Sequence, residues 1–269
     1  MDDRIKLFNS PVISISQEQT LQDALFSMRK NKIRHLVVVH KSYPVGIITE
    51  RDIAQFLEND YLKRCANQIL IQDVMIKNVI KIVTPTEDLL KKCAQKMDSM
   101  NIGSVVIIDK DDQLGGIVTK AIFVHNYPWI FENKFKVSHF MSRAVISCRP
   151  DDDVKYAFKI MRRHQVSRLA VTDNKGKPLG IITYQDFLNS NLTLDDMGGV
   201  SNENIFLGTK DKQVFDIMEK NVLYVRASDD MSVATRIMEK YGISGAPVVD
   251  DEGVLEGIVS SSDVVRIFK

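Results

Sequence analysis

The chain has 269 residues, 44% hydrophobic and 26% charged, the proportions of a globular protein with room for two ordinary domains. Lys and Arg total 36 and Asp and Glu 35, so the net charge of +1 gives no pull toward nucleic acid or an anionic membrane, and neither is expected as a partner. The polar opening "MDDRIKLFNS" does not read as a signal peptide, no apolar run nears the ~20 residues of a membrane helix, and Cys65, Cys93 and Cys148 lie too far apart for a disulfide framework or a metal site. A cytoplasmic location, with no metal bound, is the expectation.

From the N terminus, the first strongly periodic segment places Leu21, Ala24, Leu25 and Met28 on one helical face, where Met is expected to fill core. The branched run "HLVVV" at 35–39, the turn "KSYP" and the phrase "GIITERD" at 46–52 then read as a hairpin running into a second helix. The same order returns three times. Ala24-x3-Met28-x4-Ile33 becomes Cys93-x3-Met97-x4-Ile102, Ala157-x3-Met161-x4-Val166 and Ala234-x3-Met238-x4-Ile243. Each ladder is followed by a strand-like run ("SVVII" at 104–108, "RLAV" at 168–171, "APVV" at 246–249) and a polar turn. The phrase then recurs as "GIVTKAI" at 116–122, "GIITYQD" at 180–186 and "GIVSSSD" at 257–263. Three copies also open alike, with "DVMIKNVI" at 73, "HFMSRAVI" at 139 and "DIMEKNVL" at 216, and the first has "KLFNSPVI" at 6–13.

The fold class is therefore α/β (α+β), four β-α-β-β-α repeats over 4–58, 72–128, 137–190 and 213–269. A unit this small buries too little apolar surface to stand alone, so repeats one and two are expected to pair, and three and four likewise. The joint "IAQFLENDYLKRCANQIL" reads as helical throughout. The joint "FVHNYPWIFENKFK" is aromatic and holds Trp129. The long "NLTLDDMGGVSNENIFLGTKDK" at 191–212 is the segment expected to move.

Thr49-x-x-Asp52 stands where a strand becomes a helix. One reading is a capping box, worth ~0.5–2 kcal/mol and without functional meaning. The other is a nucleoside phosphate site: a helix N terminus and a hydroxyl favour phosphate, and an acid one turn on accepts from ribose hydroxyls. Hydroxyl and acid recur together in Thr183/Asp186 and Ser260/Asp263. The second copy has Thr119 but ends in Ile122, which cannot accept from a sugar.

The signature G-[IV]-[IV]-[ST]-x-x-D after A-x3-M-x4-[IV] resembles the cystathionine β-synthase (CBS) motif, and the chain looks like four CBS motifs paired into two Bateman modules. The resemblance implies adenosine ligands: AMP, ADP or ATP, sometimes S-adenosylmethionine. Thr49/Asp52, Thr183/Asp186 and Ser260/Asp263 would be the phosphate-side and ribose-side residues of three clefts. The fourth, with Ile122, would be empty or take something else. Three acids with the second missing is similar to the gamma subunit of AMP-activated protein kinase, in which a His-Arg pair before the second strand faces the phosphates. Here Arg168, Arg34 and His35 stand at that place, with Arg51, Arg162 and Arg163 as further basic candidates. Ile13, Ile146 and Val222, with Leu36, Leu169, Ala246 and Pro247, would wall the adenine.

These readings point to a regulatory sensor of adenosine nucleotides acting on a separate, unknown effector protein. The alternative is an interaction scaffold with vestigial clefts that docks through "NYPWIFENKF". No GxSxG elbow, HExxH pair, P-loop or G-x-G-x-x-G marks an enzyme, so neither catalysis nor a catalytic cofactor is expected. Both a monomeric disc of two modules and a homodimer through the modules remain open.

Overall fold

A computed structural model describes residues 7–8, 11–60, 64–189 and 212–269. Of the segment 191–212 that is expected to move, residues 191–211 lie outside the described residues.

Each repeat folds as strand, helix, strand, strand, helix. The first is β1 (Ser14–Ser16), α1 (Leu21–Asn31), β2 (His35–His40), β3 (Tyr43–Thr49) and α2 (Glu50–Asn59). A short α3 (Ile71–Val74) precedes β4 (Lys81–Val83), α4 (Leu89–Ser99), β5 (Ser104–Ile108), β6 (Leu114–Thr119) and α5 (Lys120–Phe131). The third contains β7 (Ser147–Cys148), α6 (Val154–Arg163), β8 (Arg168–Thr172), β9 (Pro178–Thr183) and α7 (Tyr184–Asn189). The fourth follows α8 (Val214–Ile217) with β10 (Val225–Arg226), α9 (Met231–Tyr241), β11 (Gly245–Val249), β12 (Leu255–Ser260) and α10 (Ser261–Ile267). In every repeat the short first strand lies parallel to the second, and the second and third form an antiparallel hairpin, giving four three-stranded sheets. Among the described residues no helix is long and apolar enough to cross a membrane.

Strand period explains the unbroken apolar runs. Leu36 and Val38 of β2 and Ile48 of β3 face the helices, whereas Val37 and Val39 of β2 and Ile47 of β3 face away. β5 and β6 divide in the same way, sending Val105, Ile107 and Val118 to one side and Val106, Ile108 and Ile117 to the other. The outward residues of repeats one and two meet in a shared apolar seam, so the expected 1–2 pairing is a sheet-to-sheet contact. In repeats three and four, Ala170 and Ile181 line a narrow seam with Ala246, Pro247 and Ile258.

The opening segment of each repeat packs on its partner and not on its own sheet. Ile71 and Val74 of α3 enter the core of repeat one, and Ile76 exchanges backbone hydrogen bonds with Ile47 of β3 at 2.8 and 3.0 Å. Val214 of α8 enters the core of repeat three, where Glu219 pairs with Ile181 of β9. In return Ser142, at the start of repeat three, pairs with Ile258 of β12. This exchange explains the glycine that opens all four phrases. A Cβ on Gly180 would lie 2.5 Å from Met218 Sδ, one on Gly257 2.9 Å from Met141 Sδ, and one on Gly116 2.5 Å from a Phe8 ring carbon; Gly46 lies under Met75 in the same way.

The two modules are joined by their helices. One core unites repeats one and three, where Phe158 meets Tyr184 and Phe187 edge-on beside Leu21, Leu57 and Ile69. A second unites repeats two and four, where α5 lies against α9 and α10 and Phe268 takes Phe123 and Phe131 edge-on at 5.1 and 5.0 Å. The aromatic joint is thus largely spent inside the molecule: Tyr127 is fully buried and Phe131 and Phe135 pack on this core, with Trp129 half exposed. The first joint departs from the helical expectation. α2 stops at Asn59, because the Asp60 carboxylate accepts from the Arg64 backbone N–H and guanidinium, and a single 3-10 turn at Ala66–Gln68 follows.

Gly180→Ala is expected to destabilise the chain by ~1–3 kcal/mol through overpacking against Met218. Gly115→Ala, whose Cβ meets nothing nearer than 3.6 Å, should stay within ~0.5 kcal/mol of the parent. Urea unfolding of both variants measures the contrast, and equal midpoints would refute the exchanged-segment account.

Candidate functional site

The three hydroxyl–acid pairs sit where β3, β9 and β12 turn into α2, α7 and α10. Thr49 Oγ1 and Thr49 N–H both donate to Asp52 Oδ2, at 2.7 and 2.9 Å, and Asp52 N–H donates back to Thr49 Oγ1 at 3.3 Å. Asp186 Oδ2 accepts from Thr183 Oγ1 and N–H, both at 2.7 Å, and Asp263 Oδ2 from Ser260 Oγ and N–H at 2.8 and 2.6 Å. Each pair therefore closes a cap, with one carboxylate oxygen spent on it.

The cap alone does not make a site. Thr20 and Asp23 form the same box at the start of α1, with the same 2.7, 2.9 and 3.3 Å distances, on an exposed face. What differs is the surroundings. Asp52 and Asp186 are half-buried, and burial raises both carboxyls above their ordinary range against the hydrogen bonds from Thr49 and Thr183. Their Oδ1 atoms take no hydrogen bond from the described residues, so each keeps an acceptor for a ligand hydroxyl. Asp263 is different: only 3% exposed, with Oδ1 held by Arg266. At the fourth position Ile122 is 2% exposed and enters the core shared by repeats two and four, leaving Thr119 without a capping partner.

Basic side chains from three repeats meet between these pairs. Arg34 Nη1 and Arg168 Nη2 each donate to Ser244 Oγ at 2.6 Å, and Arg168 also reaches the Ser244 carbonyl. Lys120 Nζ donates to Ser262 Oγ at 2.8 Å, and Arg51 donates to Ser167 Oγ and lies over the Tyr184 ring. His35 and Arg168 begin β2 and β8, and each lies across the pairing seam on a residue with no side chain, Gly103 and Gly245 respectively. Glu50 faces Arg34 at 4.0 Å. Burial, then Lys120, Arg34 and Arg51, hold the His35 imidazole down at about 4; burial, then Arg51 and Arg168, lower Lys120 to about 8 against Asp263 and Asp98. Burial and Arg34 lower Arg168 to about 10, and burial raises Glu50 to about 7 in opposition to Arg34.

The family described as CBS domain matches residues 5–59, 71–126, 137–192 and 214–269. This chain belongs to the CBS domain family. Its repeats are paired as Bateman modules. Along nearly its whole length it is similar to protein MJ1225 of Methanocaldococcus jannaschii, 25% identical over 278 residues that cover 97% of this chain and 96% of that one. The crystal structure of MJ1225 superposes with a TM-score of 0.85 at 24% identity over 98% of both chains. A conserved protein from Pyrococcus horikoshii superposes with a TM-score of 0.68 at 21% identity over 100% of both. Both structures share the fold of this chain.

Within the CBS frame, the expected basic residues Arg34, His35 and Arg168 do converge, and Arg51 joins them; Arg162 instead pairs with Glu58 at 2.8 Å and Arg163 is exposed. Of the expected adenine walls, Ile13, Ile146 and Val222 are half-buried at the strand approaches. Leu36 and Leu169 are fully buried in the helix-side core, because strand alternation sends them away from the seam. Ala246 and Pro247 line the seam of the second module beside Arg168. Lys120 was missed by sequence reasoning. It follows the hydroxyl of the repeat that lacks an acid, and nothing in that spacing shows that it crosses to repeat four.

Because folded His35 refuses a proton that the unfolded chain accepts, its contribution to stability falls as pH drops from 6.5 toward about 4. Glu50 acts in the opposite sense, its contribution falling as pH rises from 4.5 toward about 7. His35→Asn is therefore expected to lose less stability than the parent between pH 7 and pH 5. Thermal denaturation at the two pH values measures this, and identical losses would refute it.

Proposed function

We propose that the chain is a regulatory binding protein for adenosine nucleotides (AMP, ADP or ATP) that acts through a separate effector protein and not by chemistry of its own. The observation that carries this reading is the pairing of two half-buried carboxylates, each with one oxygen unspent, with a cluster of half-buried cations. Asp52 Oδ1 and Asp186 Oδ1 each supply an acceptor for the ribose hydroxyls of a nucleoside in its own cleft. Arg34, Arg51, Arg168 and Lys120 supply the charge that a phosphate requires. Half-buried Ile13 and Ile146 offer the aliphatic surface for a base.

The clefts are not equivalent under this proposal. Those of Thr49/Asp52 and Thr183/Asp186 accept a nucleoside as they stand. That of Ser260/Asp263 requires Arg266, whose side chain is 41% exposed, to release the carboxylate. That of Thr119 has no sugar acceptor, since Ile122 is committed to the core. Ligand would bridge two modules that already share cores, and so bias the surface shown to the effector. The scaffold alternative loses support from the aromatic stretch, whose Tyr127 is buried and whose Ile130, Phe131 and Phe135 pack against the core.

Thermal-shift titration with AMP, ADP, ATP and S-adenosylmethionine tests the reading. A ligand at 100 times its Kd adds about 2.7 kcal/mol to stability, a readily measured rise in Tm. Asp186→Ala is expected to lose part of that rise. Asp23→Ala, which removes the matching cap at an exposed helix, should lower the basal Tm by a similar amount and leave the ligand-induced rise intact. Flat curves at millimolar ligand would overturn the nucleotide reading, and four equivalent nucleotides per chain by calorimetry would overturn the assignment of Ile122.

A further inference from the structure

The residue six positions after the hydroxyl of each phrase is Gln55, His125, Asn189 and Arg266 in turn. In three repeats it reaches another repeat across a helix-side core. Gln55 bonds Tyr184, His125 Nδ1 lies 2.6 Å from Glu239 Oε1, and Asn189 Oδ1 accepts from Arg29 Nη2 at 2.9 Å. The matching link from repeat four to repeat two is made three residues later, where Lys269 Nζ donates to Asp98 at 2.5 Å. Arg266 instead turns back on Asp263, the acid of its own helix.

A single nitrogen carries two contacts. Arg266 Nη2 donates to Asp263 Oδ1 and, at 3.2 Å, to the Phe140 carbonyl. Phe140 precedes Met141, whose thioether lies over Gly257, and Ser142, which exchanges backbone hydrogen bonds with Ile258 of β12 at 2.9 Å each way. The oxygen that a nucleoside hydroxyl needs and the segment that straps repeat three onto repeat four therefore share one donor. Asp263 is only 3% exposed and its Oδ2 is spent on Ser260, so a hydroxyl reaches Oδ1 by taking the place of the guanidinium. The Arg266 side chain is 41% exposed, and water accepts its displaced head. Because both bonds leave from Nη2, one swing breaks both.

We infer that Arg266 is a latch that couples the Ser260/Asp263 cleft to the opening segment of repeat three. Ligand at Asp263 drives the guanidinium out, the Phe140 carbonyl loses its donor at the same moment, and the segment loosens on β12. The latch rests on the nucleotide reading for what displaces Arg266, and not for the link between Arg266 and the segment. It sets this cleft apart from those of Asp52 and Asp186: it fills last, and its filling alters an edge of the second module.

Calorimetric titration of the full chain with AMP, with amide hydrogen exchange read at Ser142 and Ile258, tests this. The parent is expected to bind two AMP and a third about tenfold more weakly, with both amides exchanging about threefold faster once the third is bound. Arg266→Gln gives repeat four the side chain that repeat one carries. It should bind three AMP of similar affinity and exchange at the faster rate with or without ligand. Ile47 and Ile76, which form the corresponding bridge of the first module, should exchange as in the parent. Three equal AMP in the parent, a weak third site kept by Arg266→Gln, or faster exchange at Ile47 and Ile76 as well would each overturn the inference. So would equal exchange at Ser142 and Ile258 in the two ligand-free chains. No AMP bound by either chain, while Arg266→Gln still speeds Ser142 and Ile258 alone, would sink the nucleotide reading and leave the link standing. AMP binding with no change at these amides in either chain would do the reverse.

Discussion

Met218 lies on Gly180, Met75 on Gly46, Met141 on Gly257 and Phe8 on Gly116, and the architecture depends on these four contacts. A sheet of three short strands with two helices leaves one face uncovered and an edge unpaired. Each repeat resolves this by lending its opening segment to its partner, which gains a large side chain over a bare backbone and, in repeats one, three and four, an edge bridge such as Ile47 to Ile76. The glycine is required because a Met thioether, or at Gly116 the Phe8 ring, occupies the volume of its missing Cβ. Pairing is therefore built into the repeat, and the strand runs can be apolar on both faces because both are buried.

Joining the modules creates the electrostatic problem at the centre. The helix-side cores bring one end of each sheet toward the others, the end where Arg34 and Arg168 enter the second strands β2 and β8 and where Arg51 and Lys120 open the helices α2 and α5. Their burial is costly, as the lowering of Lys120 to about 8 and of Arg168 to about 10 reflects. At the rim, pairs such as Arg162–Glu58 and Lys269–Asp98 add little, since exposed ion pairs contribute ~0–1 kcal/mol. The apolar cores bear that cost, and a cationic space held open by packing is suited to an anion that arrives with its own charge.

The hydroxyl–acid pairs show why one motif carries two meanings. Thr20/Asp23 and Thr49/Asp52 are alike in local geometry, and only the neighbours separate a cap from a candidate ligand contact. Asp263 shows the converse, a repeat that keeps the motif while its second oxygen is taken by Arg266. A four-residue pattern specifies backbone and cap, because these are set within one helical turn. It does not specify which oxygen remains free, because that is set by side chains from elsewhere.

Repetition made the four units, their element order and their hairpins legible from sequence, since anchor spacing and strand alternation are local properties. Ala24, Met28, Cys93, Met97, Ala157, Met161, Ala234 and Met238 all lie in the cores that their spacing implied. The end of α2 was not legible, because Asp60 competes for backbone donors beyond the periodic stretch. Nor was the destination of the opening segments, the burial of Leu36 away from the cleft, or the meeting of Lys120 with Arg168 and Asp263. Contacts between residues 76 to 210 positions apart leave no periodic trace in a single chain. Sequence alone determined what each repeat is, because a repeat is held by near-neighbour interactions; only the tertiary structure decided which repeats share a core and which charges face one another, because those depend on how finished surfaces fit.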